Sequence, residues 1–70
     1  MISYKVYLCT YEKGWILSKI IYNKEELYDY IRNLNEEDFY DIIVVRHNQD
    51  LQMDEVVPIL YRDLSRTRKI

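Results

Sequence analysis

Asn23-Lys24-Glu25-Glu26-Leu27-Tyr28-Asp29-Tyr30-Ile31-Arg32-Asn33-Leu34 is the stretch from which the fold follows. Leu27, Tyr30, Ile31 and Leu34 recur at helical spacing and form one apolar stripe, flanked by Tyr28, while Glu25, Glu26, Asp29, Arg32 and Asn33 take the opposite face. Asn23 is a good N-cap, because its side-chain oxygen can accept a backbone N–H that the first turn leaves unpaired, and Glu26 stands at the third helical position. Tyr22 is placed to staple onto Leu27 across that cap. Continuing the helix would carry Asp38 onto the apolar stripe, so it is expected to end near Leu34 or Asn35. One stripe buries against one surface, and the flanking segments must provide that surface.

Upstream of the helix, residues 2–8 alternate: Ile2, Tyr4, Val6 and Leu8 face one way, Ser3, Lys5 and Tyr7 the other. Period two with β-forming side chains predicts a strand. Tyr11-Glu12-Lys13-Gly14 is the turn, with the only glycine where a hairpin needs positive φ, and residues 15–22 are the returning antiparallel strand. Bare alternation divides that strand into Trp15, Leu17 and Ile21 against Ile16, Ile20 and Tyr22. Downstream, residues 40–47 form a third strand with Ile42 and Val44 opposed to Ile43 and Val45, apolar on both sides, and residues 48–50 form a turn. The segment from Asp54 to Tyr61 reads in two ways. It is either a strand held to the sheet edge by Pro58, or the start of a helix with Val57, Leu60, Tyr61 and Leu64 on one face. The fold class is therefore α+β: a small antiparallel sheet with one packed helix, in the order ββαβ followed by a fourth edge strand or a C-terminal helix.

Seventy residues make one compact domain, 1–70, with a basic tail at 62–70. Folding hides roughly 60% of the surface of so short a chain, so its stability is marginal and a tight core, a staple or a partner is needed. Cys9 is the only cysteine and His47 the only histidine, which excludes an intrachain disulfide and a zinc staple. Neither a membrane-length apolar run nor a basic-then-apolar leader is seen, and the expected location is cytoplasmic.

The residues offer little chemistry. Gly14 stands alone, so phosphate-cradling loops are absent. Glu36, Glu37, Asp38 and Asp41 read as a solvated loop after the helix, since the EF-hand order of ligands is missing. His47 closes the third strand, and nothing in the sequence brings it to Cys9 or Ser18 as a base to a nucleophile. No catalytic set, cofactor or metal is expected, and the chain is read as a non-enzyme.

What remains is surface. A net charge of −2 conceals an acidic middle at residues 23–41 and a basic tail of Arg62, Arg66, Arg68 and Lys69, neither extreme enough to announce nucleic acid or a membrane by itself. Eight tyrosines are too many for the core of so small a domain, and tyrosine presents a ring and a hydroxyl of the kind enriched at interfaces. Tyr7, Tyr11, Trp15, Tyr28, Tyr40 and Tyr61, with the tail residues Arg62, Arg66, Arg68 and Lys69, are the candidate partner-binding set. In its brevity, its tyrosine content, its lack of alanine and its lack of a catalytic set, the chain resembles small phage-borne or mobile-element proteins that inhibit host machinery by docking on it. The resemblance implies a module that regulates or inhibits a larger protein. The alternative is a nucleic-acid binder using the tail and an aromatic sheet face. Because one helix covers only one side of a sheet, an open apolar face is expected unless the C-terminal segment folds back over it as a second helix, and a homodimer is the simplest closure, with a helix-covered monomer as its rival.

Overall fold

The computed structural model describes residues 1–58, and within them the chain folds as a four-stranded antiparallel sheet with one helix, an α+β architecture. Strands β1 (Ile2–Thr10) and β2 (Gly14–Ile21) form a hairpin, helix α1 (Lys24–Arg32) follows, and strands β3 (Phe39–Asn48) and β4 (Met53–Val57) form a second hairpin. The spatial order is β2-β1-β3-β4, so α1 makes the crossover that sets β3 beside β1.

Local chemistry accounts for each boundary. Gly14 sits at φ +70, and the Thr10 hydroxyl ties the hairpin turn by accepting the Lys13 N–H at 3.0 Å and donating to the Gly14 carbonyl at 3.2 Å. The Asn23 side chain accepts the Glu26 N–H at 2.8 Å and caps α1. The helix stops at Arg32, short of the Leu34 or Asn35 that the apolar stripe implies. Asn33 is the reason: it leaves helical geometry, and its side-chain amide donates to the Asp29 carbonyl at 2.7 Å. Tyr22 is exposed rather than stapled. Between β3 and β4, the Asn48 side chain accepts the N–H groups of Asp50 and Leu51 at 3.1 and 3.2 Å. Of the two readings of residues 54–61, the strand describes the chain as far as Val57, at the sheet edge; Tyr61 and the helix considered beyond Pro58 lie outside the described residues.

The core lies between α1 and one face of the sheet. Leu27 and Ile31 of the helix pack with Tyr4, Val6 and Leu8 of β1, Ile21 of β2, and Phe39 and Val44 of β3. Val6 and Ile31 are wholly buried, which concentrates the hydrophobic stabilisation at the sheet centre.

Two β-bulges set which side chains reach this core. In β2, Val6 pairs with Lys19 and Tyr7 with Leu17, leaving Ser18 as the extra residue. Ser18 hydrogen-bonds the Tyr30 hydroxyl of α1 and the Lys19 ammonium lies over the Tyr30 ring, so two adjacent side chains reach the helix side. Alternation therefore changes phase: Ile16 and Ile21 pack inward, and Trp15, Leu17 and Ile20 turn outward. This corrects the grouping of Ile21 with Trp15 and of Ile20 with Ile16. In β3, Cys9 pairs with Asp41 and Thr10 with Phe39, so Tyr40 is the extra residue, Phe39 enters the core and Tyr40 is exposed.

Candidate functional site: the open face of the sheet

The face away from α1 is built row by row from the strand register. One row runs Trp15, Cys9, Asp41; the next runs Leu17, Tyr7, Ile43; the third runs Ile20, Lys5, Val45, Val56; the last runs Ser3, His47, Asp54. Trp15, Leu17, Ile20, Ile43 and Val56 are all exposed, and among the described residues no element covers them. A shallow cavity of about 500 Å³ lies on this side, lined by Tyr7, Trp15, Ile43, Val45 and Val56 with Asp54 and Glu55 at its β4 rim. This volume falls within the range of small-molecule pockets, but its walls are mostly apolar and it is open to solvent.

The polar groups sit at the margins. The His47 imidazole Nδ1 meets the Asp54 carboxylate at 2.5 Å across the β3–β4 pair. Arg46 Nη1 donates to Glu55 at 2.5 Å on the opposite, helix-facing side, and that bond to Glu55 raises the Arg46 guanidinium above its already high range. At the other end, the Tyr11 and Tyr40 rings meet at a centroid distance of 5.0 Å and a tilt of 46°. The Tyr40 hydroxyl is held above the usual tyrosine range, first by its hydrogen bond to Cys9, then by the Cys9 charge that would oppose its own. Cys9 itself is buried.

The candidate residues named from the sequence divide between the layers. Tyr7 and Trp15 belong to the open face, and Tyr11 and Tyr40 extend it at the hairpin end. Tyr28 does not join them: it lies half-buried on α1, the layer that covers the opposite face. Tyr61, Arg62, Arg66, Arg68 and Lys69 lie outside the described residues. The aliphatic members Leu17, Ile20, Ile43, Val45 and Val56 lie outside the candidate set read from the sequence. The signal for Ile43 and Val45 was the two-sided apolar pattern of the third strand. For Ile20 it was the adjacent polar pair Ser18-Lys19, which interrupts the alternation of β2 and marks the bulge.

Comparison with protein-family models, curated proteins and solved structures brings no match to this chain.

The register also keeps the potentially reactive groups apart. Cys9 stands opposite Asp41, six residues along β3 from His47, which at strand rise is about 20 Å. Ser18 is engaged with Tyr30 on the other side of the sheet. No group of three or more His, Cys, Asp or Glu side chains among the described residues converges to hold a metal ion, and no described helix is long and apolar enough to cross a membrane.

Proposed function

We propose that this chain is a non-enzymatic protein-binding module of the cytoplasm that regulates or inhibits a larger protein by docking through the open face of its sheet. The observation carrying this reading is the set of exposed apolar side chains Trp15, Leu17, Ile20, Ile43 and Val56 on one face of the sheet, with Lys5 among them. An exposed apolar sheet face is a surface on which a partner can dock, and a tryptophan at the edge of a shallow hollow has the chemistry of a binding anchor. The tyrosine-rich surface expected from composition narrows to Tyr7, Tyr11 and Tyr40 around that patch. Contact with nucleic acid is the weaker reading, because the face carries Asp41 and Asp54 against one lysine, Lys5, too little positive charge to hold phosphates.

The test is capture of a defined target from cells that naturally make the protein, followed by titration with purified components. Wild type and Tyr28→Ala should bind equally, whereas Trp15→Ser and Val56→Asp should each weaken binding at least tenfold. Target binding indifferent to Trp15→Ser and Val56→Asp would overturn the assignment of the face. Micromolar or tighter binding to DNA or RNA, steeply weakened by salt, would replace the reading with the nucleic-acid one.

A further inference from the structure

We propose that in the free protein the open sheet face is closed by a second copy of this chain, in a symmetric face-to-face dimer that must open before a target can dock. The inference rests on the same face as the proposed function, but it needs no target to be tested.

Area is the first argument. Exposures of 47% at Trp15, 48% at Leu17, 40% at Ile20, 37% at Ile43 and 67% at Val56, applied to side chains of roughly 150–250 Å², leave on the order of 500 Å² open on each copy. Two copies packed on this face would bury up to about 1,000 Å², before the half-buried Tyr7 and Val45 are added, which reaches the threshold for a weak, transient interface. Interfaces of that size belong to weak, transient associations.

Shape is the second argument, and it selects the arrangement. The bulk on this face is uneven: β2 carries three large side chains, Trp15, Leu17 and Ile20, whereas β4 adds Val56 as its apolar member. The hollow of about 500 Å³ lies toward β3 and β4. A two-fold axis across the strands would set β2 on its own copy, bulk against bulk and hollow against hollow. A two-fold axis along the strands sets the β2 side of one copy over the β4 side of the other and brings Ile20 onto β4, while the rows of Trp15 and Leu17 end at β3. Sheets stacked in this way lie about 10 Å apart with interleaved side chains. The register then places Ile20 over the second copy's Val56, since both stand in the row of Lys5 and Val45.

Sedimentation equilibrium of the full chain, from low micromolar to several hundred micromolar, tests this. The expected result is a reversible change from 8.7 kDa to twice that mass. Val56→Asp and Leu17→Asp should each raise the dissociation constant at least tenfold, because symmetry puts two added carboxylates into each interface. Tyr28→Ala should leave it unchanged. Urea denaturation of each variant verifies its fold, and Val56, at the exposed sheet edge, is the substitution least able to disturb it. Mixed Ile20→Cys and Val56→Cys chains should cross-link to one another in preference to themselves. A strict 8.7 kDa species at several hundred micromolar, or a dimer indifferent to both aspartate variants, overturns the inference. Cross-links of each cysteine variant chiefly to itself overturn it as well. A monomer whose target binding is still lost in Val56→Asp would refute the dimer and leave the proposed function standing; a dimer without any target would do the reverse.

Discussion

Ile20 and Ile21 are chemically identical neighbours, and the bulge at Ser18 gives them opposite fates. Ile21 is 2% exposed within the core, and Ile20 is 40% exposed on the open face. Ile21→Ala removes three carbons, worth about 0.8 kcal/mol each in transfer, and adds the penalty of an unfilled cavity, for a total of about 3–4 kcal/mol. Ile20→Ala removes the same atoms from a site already open to water, where no cavity remains; partial burial leaves about 1 kcal/mol or less. A domain of this length has roughly 4–10 kcal/mol in all, so the first variant should lose much of its stability and the second little. The assay is urea denaturation followed by Trp15 fluorescence and far-UV dichroism, at concentrations low enough that the midpoint no longer depends on protein. With a slope of about 1 kcal/mol per molar, the two midpoints should differ by about 2 M. Should Ile21→Ala not fold at all, the milder pair still discriminates: Ile21→Val should cost about 1 kcal/mol, and Ile20→Val a few tenths. Equal losses, or a larger loss at Ile20, would mean that the strand alternates without a bulge, and the derivation of the open face would fail with it.

Other substitutions test the local devices. Asn23→Ala should cost about 1 kcal/mol, since the Glu26 N–H loses its 2.8 Å acceptor, and Asn23→Asp should retain most of the stability in the same melts. Gly14→Ala should cost about 1 kcal/mol through backbone conformation alone, because φ is +70 and an added Cβ would meet nothing within 4 Å. An unaltered melt would show that the hairpin turn had changed type. For Tyr40, the folded pKa lies above the ordinary 10.0, so the native state holds a proton that the unfolded chain has already released. Its contribution to stability is present below about pH 10 and lost as pH rises through the folded value. Tyrosinate absorbance should show a late-titrating tyrosine that disappears in Tyr40→Phe, and its appearance at the ordinary range would refute the contact with Cys9.

The helix and the strands could be read from local patterns because their causes are local. A cap at Asn23, a stripe at helical spacing, a turn glycine and alternation in residues 2–8 each act within a few residues. The two-sided apolar character of β3 likewise points to a second apolar face, and among the described residues no element covers it. What the sequence alone could not assign was the membership of that face. A bulge is an extra residue relative to a partner strand, so it is defined only by pairing. The phase change in β2 depends on Ser18 reaching Tyr30 and on Lys19 lying over its ring, contacts across the core between residues 11 to 12 positions apart. The change in β3 puts Phe39 inside and Tyr40 beside Cys9, which nothing in the order Phe39-Tyr40-Asp41 specifies. Tyr28 shows the same division from the other side. Composition marks it as a surface tyrosine equal to Tyr7, but the layer each occupies is decided by which face of the sheet α1 crosses. Periodicity along the chain determined the elements; pairing between strands and packing under the helix decided which side chains meet the solvent.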